Sequence, residues 1–166
     1  MSLEHLWAGW RAAYVGGVAA EDDDHARSVF TRILASGKPD EETFVVWRGD
    51  TCFAILNAFP YTSGHLLVMP YREVGELNDL TANEHAELWA GATAAVAALQ
   101  TAYRPDGANL GMNLGRPAGA GVPGHLHIHV LPRWNGDTNF MTTVAGVRVM
   151  PESLADSWAK VRAAWP

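Results

Sequence analysis

Apolar residues recur along the chain with two different periods, and the switches between them mark out its elements. Leu6, Trp7, Trp10, Ala13 and Tyr14 are spaced for one face of a short amphipathic helix. Residues 24–36 predict a second helix, with Val29, Phe30, Ile33 and Leu34 on its apolar face and Gly37 at the C-terminal cap. From 43 to 56 the texture is β-branched and aromatic, broken by Gly49-Asp50, which predicts a hairpin. Residues 57–64 read as a loop, and 65–69 as a strand ended by Pro70. Thr81, with Glu84 three residues on, predicts a capping box at the head of an alanine-rich helix reaching about Tyr103. Arg104-Pro105-Asp106-Gly107 ends that helix. Residues 109–114 and 125–131 predict strands on either side of a Gly- and Pro-rich loop, and 152–164 a terminal helix. Short turns between strands, with helices outside them, predict an antiparallel α+β domain of about five strands.

Composition narrows the class. The chain has 166 residues, 48% hydrophobic and 18% charged, the balance of one globular domain and not of a disordered chain. No apolar run is long enough to cross a bilayer, and the first residues lack a secretory pattern, so the expectation is a soluble cytoplasmic protein. Cys52 is the only cysteine, which excludes an intrachain disulfide and any cysteine-based zinc finger. A net charge of −6 argues against nucleic acid and anionic membranes as partners, while leaving room for a small anionic ligand. The acidic runs 21–24 and 40–42 read as solvated surface.

The candidate chemistry lies in Gly124-His-Leu-His-Ile-His-Val-Leu-Pro-Arg133. Alternation puts His125, His127 and His129 on one face and Leu126, Ile128 and Val130 on the other. Three readings compete. The histidines could simply form a polar strand face. They could bind a metal, as two histidines with a distant third ligand, because His125 and His129 would be roughly 13 Å apart along a strand. They could also serve nucleophilic catalysis, which carries the most weight. A neutral imidazole with one nitrogen free and the other N–H held can attack phosphorus. Same-face histidines can then donate to phosphate or to a leaving group.

His-Leu-His-Ile-His-Val-Leu resembles the signature of the histidine triad (HIT) family. Upstream, Phe53-Ala-Ile-Leu-Asn57, Pro60 and Gly64-His-Leu-Leu-Val-Met-Pro70 resemble that family's first half in order and spacing. The likeness covers about residues 28–134 of a single HIT-like domain spanning 1–166, with an N-terminal helix and a C-terminal extension packed on it. Leu6-Trp-Ala-Gly-Trp-Arg11, Pro60-Tyr61, Asn113-Leu-Gly115 and Pro132-Arg-Trp-Asn-Gly-Asp-Thr-Asn-Phe140 resemble its bacterial branch of ATP adenylyltransferases and diadenosine tetraphosphate phosphorylases.

The resemblance implies that His127 attacks the α-phosphate of an adenine nucleotide and becomes nucleotidylated. It implies that His129 contacts the phosphate and assists the leaving group, with His125 supporting the arrangement. Asn57 would bind ribose hydroxyls, Val29, Phe30 and Ile33 would wall the base, and Asn113 would lie near the phosphates. Arg116 is a candidate phosphate contact, and Arg133 a strand-end charge with the same alternative. His65 is implied to pack or to act behind the site, and Trp134 to pack. A homodimer around a shared sheet is implied, with inorganic phosphate or water as acceptor.

Two departures stand out. Many relatives hold a structural zinc through two cysteines and two histidines. Here three of those positions read Ser28, Thr31 and Glu73, leaving only His125, so no zinc and no other required cofactor is expected. Relatives often carry Ser or Gln four residues before the triad, where this chain has Gly121. The leaving-group step then depends on backbone amides there. The leading reading is a diadenosine tetraphosphate phosphorylase. The alternatives are a dinucleoside polyphosphate hydrolase, a nucleoside phosphoramidase, a nucleotide-binding module without turnover, or a metalloenzyme using His125 and His127.

Overall fold

A computed structural model describes residues 27–138 and 151–166. The expected helix over Leu6 to Tyr14, the start of the 24–36 segment, and Asn139-Phe140 lie outside the described residues.

Helix α1 (Val29–Ala35) begins at Ser28, whose hydroxyl accepts from Thr31 N–H, and is followed by Gly37 at φ +69°. A short helix α2 (Asp40–Thr43) uses the second acidic run at its N-terminus, where the helix dipole favours carboxylates. Strands β1 (Val45–Arg48) and β2 (Cys52–Leu56) form the expected hairpin. Next come β3 (Leu66–Pro70), α3 (Ala82–Tyr103), β4 (Gly107–Gly111), β5 (Ile128–Arg133) and α4 (Leu154–Ala164). The five strands make one antiparallel sheet in the order β1-β2-β3-β5-β4.

The capping box of α3 forms as expected, with Thr81 and Glu84 exchanging side-chain and backbone hydrogen bonds. Another α3 carboxylate, Glu87, gathers the N–H groups of Asp50 and Cys52, at 2.8 and 2.9 Å, in the hairpin turn. That ties the turn to the helix.

One sheet face packs Cys52, Ala54, Leu56, Leu66, Val68, Ile128 and Val130 against Leu88, Ala92, Ala95 and Leu99 of α3 and Val161 of α4. Small residues on α3 allow close approach: a Cβ on Gly91 would lie 2.9 Å from the Trp47 ring and 3.0 Å from Val68. The other face carries Phe53, Ile55, Leu67 and Met69, covered by Phe30 of α1. His129 lies on this second face, since it pairs with Leu67 in the ladder, and His125 and His127 meet Phe30 on the same side. Helix α4 therefore belongs to the opposite layer.

Two strand boundaries differ from expectation. The ladder of β5 starts at Ile128 and not at residue 125. Extending it would set Leu126 against Pro70, which has no N–H to donate. The carbonyl of Pro70 is taken instead by the His125 ring, and Leu126 N–H turns to Val74 O at 2.7 Å. Strand β4 runs 107–111 in place of 109–114, because its last partner on β5 is His129, where the sheet gives way to the site.

Candidate active site

Hydrogen bonds assign a proton position to each imidazole. Nδ1 of His127 lies 2.8 Å from the carbonyl of His125, which can only accept, so Nδ1 carries the hydrogen and Nε2 keeps its lone pair. The residue is 7% exposed. Phe30 stands against it, with ring centroids 5.6 Å apart.

For His129 the assignment comes through His65. The backbone N–H of Tyr61 donates to Nδ1 of His65 at 3.1 Å, so neutral His65 carries its hydrogen on Nε2. Nε2 lies 2.9 Å from Nδ1 of His129 and donates to it. The hydrogen of His129 is therefore on Nε2. That atom is buried and has no hydrogen-bond partner among the described residues. An orphaned buried donor is costly unless a ligand satisfies it. It sits beside His127, ring centroids 4.9 Å apart. A ring with a lone pair on Nε2 and a ring with an N–H on Nε2 thus stand edge to face.

Burial pushes His127 below the ordinary histidine value. It pushes His129 down to about 4, with the proximity of His127 adding to the effect. Burial also lowers His125. All three are neutral near pH 7, the state that a nucleophile and a neutral donor require.

Phe30 and Ile33 share the core under the histidine face, while neighbouring Val29 is 36% exposed at the start of the helix. Asn57 is half-buried, its Nδ2 3.3 Å from His65 Nδ1 and its Oδ1 accepting from Phe59 N–H at 2.9 Å. Asn113, Arg116 and Gly121 lie in the loop after β4. Asn113 donates to Gly119 O at 3.4 Å and Arg116 is exposed. Among the described residues, no hydrogen bond or ring contact joins these three to the histidines. Arg133 makes a two-pronged pair with Asp137 at 2.6 and 2.7 Å and also reaches Asn109. It clasps the end of the β4–β5 pair. Trp134 packs edge-on against Tyr103.

Sequence reasoning placed His65 behind the site without its contact, and it missed Tyr61, whose ring stacks on His129 at 5.9 Å and 14°. Alternation puts His65 and Leu67 on one face, but only the β3–β5 register brings that face beside His129.

Ser28, Thr31, Glu73 and His125 do converge. Ser28 Oγ lies 2.7 Å from His125 Nδ1 and 3.2 Å from Thr31 Oγ1, and Glu73 accepts Ser28 N–H at 3.1 Å. Nε2 of His125 donates to Pro70 O at 2.8 Å. Two hydroxyls and an imidazole engaged at both nitrogens do not fit a zinc ion.

The HIT domain family model matches residues 38–136. An AP-4-A phosphorylase of Mycobacterium tuberculosis (strain ATCC 25618 / H37Rv) is 41% identical over 167 residues, covering 98% of this chain and 85% of that protein. An asymmetrical bis(5'-nucleosyl)-tetraphosphatase of Schizosaccharomyces pombe is 33% identical over 93 residues, 56% of this chain and 50% of its own. The crystal structure of a Zn-bound histidine triad family protein from Mycobacterium smegmatis superposes with a TM-score of 0.66 at 30% identity, over 82% of this chain and 91% of that one. Sheet order, histidine face and near full-length likeness point the same way, and the chain belongs to the HIT domain family.

Proposed function

We propose that this chain is a nucleotidyl-transferring enzyme that cleaves diadenosine tetraphosphate by phosphorolysis. The observation that carries the reading is the pair of tautomers: a lone pair on Nε2 of His127 beside an Nε2–H on His129 that has no partner among the described residues. The near full-length likeness to an AP-4-A phosphorylase selects the substrate.

In the first step His127 Nε2 forms a bond to the α-phosphorus, and the bond from that phosphorus to the bridging oxygen breaks. ATP departs as its new terminal oxygen accepts a hydrogen bond from His129 Nε2–H. The adenylylated ring carries positive charge, which the carbonyl of His125 faces through Nδ1–H. In the second step an oxygen of inorganic phosphate attacks the phosphorus and the P–N bond breaks. ADP forms and His127 returns neutral. Phe30, Ile33 and Val29 wall the adenine, and Asn57 takes the ribose hydroxyls. Asn113, Arg116 and the backbone at Gly121 serve the polyphosphate. The reading requires no metal in either step. The reading includes a homodimer joined along the free edge of the sheet, supported by β4 as an edge strand with Leu110 45% exposed.

The test is incubation with diadenosine tetraphosphate, with and without phosphate, and separation of products by anion exchange. ATP and ADP appearing only with phosphate bear the proposal out. ATP and AMP without phosphate make water the acceptor and the enzyme a hydrolase. No cleavage overturns the reading.

A further inference from the structure

His125 does not touch the space shared by His127 and His129, yet it is the most heavily anchored of the three. It is fully buried and bridges two elements: its ring donates to Pro70 O at the end of β3 and meets Ser28 at the head of α1. A carbonyl can only accept, so the hydrogen of His125 is on Nε2. Nδ1 then carries the lone pair, and the Ser28 hydroxyl donates to it. Ser28 is itself held from three sides. Its Oγ accepts Thr31 N–H at 3.2 Å and lies 3.2 Å from the Thr31 hydroxyl, and its N–H donates to Glu73 at 3.1 Å. The backbone carbonyl of His125 is the one that accepts from Nδ1 of His127.

We propose that Ser28 is a positioning residue for the nucleophile. Its hydroxyl fixes His125 from α1, and His125 in turn holds the carbonyl that aims His127. A strut of hydrogen bonds stands at the positions that hold a zinc in many relatives, with Thr31 and Glu73 bonded to Ser28. The catalytic half of the proposal rests on the phosphorolysis reading above, while the geometric half does not.

Ser28→Gly is the deciding variant. Glycine is well tolerated at a helix N-cap, so the fold survives while the donor is lost. Two quantities are read in wild type, Ser28→Gly and Ser28→Thr: the solvent exchange rate of the His127 Nδ1–H by NMR, and kcat and KM for cleavage. Ser28→Gly is expected to speed exchange and to lower kcat, each by about 10-fold or more, with KM within about 2-fold. Ser28→Thr, which keeps the hydroxyl, is expected to restore both. Metal-free wild type is expected to keep full activity in a chelator.

Exchange and kcat both within about 2-fold of wild type in Ser28→Gly would overturn the proposal. So would a fall in kcat with exchange unmoved, which would place Ser28 on the substrate. So would stoichiometric zinc on wild type whose removal lowers activity. Faster exchange in Ser28→Gly, restored in Ser28→Thr, in a protein that cleaves nothing would uphold the strut and reject the phosphorolysis reading alone.

Discussion

Nε2 of His65 lies 2.9 Å from Nδ1 of His129, and this contact decides which nitrogen of His129 faces the substrate space. Replacing His65 with Phe removes the donor and frees His129 to change tautomer. A correctly placed acid or donor is worth about 10²–10⁴-fold in rate, so the variant is expected to lose activity at the low end of that range. The loss falls on the rate of ATP release in a single-turnover experiment, with KM little changed. An unaltered single-turnover rate removes the relay from the mechanism.

His127 is expected to carry the covalent adenylyl group. Incubation with substrate labelled at the α-phosphate should leave acid-labile label on wild type and none on His127→Ala. The variant is expected to lose on the order of 10³-fold or more in kcat, as enzymes do when a nucleophile is deleted. Label retained by His127→Ala would move the nucleophile elsewhere.

The pH dependence follows from burial. His127 and His129 work as neutral rings, and both titrate below the ordinary histidine value of 6.5, His129 at about 4. The acid limb of kcat/KM should therefore lie below pH 6.5. Stability has the same sign. Between about 6.5 and 4 the unfolded chain binds protons that the folded chain refuses, so stability falls as pH drops through that window. Urea midpoints measured from pH 7 to 4.5 check this, and His129→Asn should flatten the slope.

Gly91 sits mid-helix, where alanine has the better propensity by about 1 kcal/mol. The added Cβ would meet the Trp47 ring at 2.9 Å and Val68 at 3.0 Å. Overpacking of that kind costs about 1–3 kcal/mol, so packing wins and Gly91→Ala is expected to be destabilising. Urea unfolding measures it, and a stabilised variant would mean that α3 can shift outward.

Phe30→Ala removes the ring that stands against both His125 and His127. KM for the dinucleotide is expected to rise roughly 10-fold, about 1.4 kcal/mol of binding. The same variant should barely change the KM for inorganic phosphate in the second step. Equal effects on both would mean a general collapse of the site.

Much of this was legible from residues alone. The hairpin and the α3 capping box at Thr81 and Glu84 are local patterns and formed as expected, whereas of the three histidines only His129 lies in the β5 ladder. What stayed hidden depended on register. Nothing along the chain says that Leu67 pairs with His129, so the closeness of His65 and Tyr61 to that ring could not be read. The Ser28 contact spans 97 positions and joins an N-cap to a strand entrance. The late start of β5 follows from Pro70, whose ring removes a donor, and whose carbonyl prefers an imidazole. Sequence flagged Ser28, Thr31 and Glu73 only as places where thiolates and an imidazole were missing. Three dimensions show what they do instead.

The head of helix α1 touches the segment that leads into β5 twice, through its cap Ser28 at His125 and through Phe30 at His127. Under the proposed function, the residue that walls the nucleobase and the residue that steadies the nucleophile thus lie two positions apart, at the cap and first turn of one helix. Discrimination between bases is then expected to be felt in turnover and not only in affinity, because a misfitting purine that displaced the helix would also misdirect the attack.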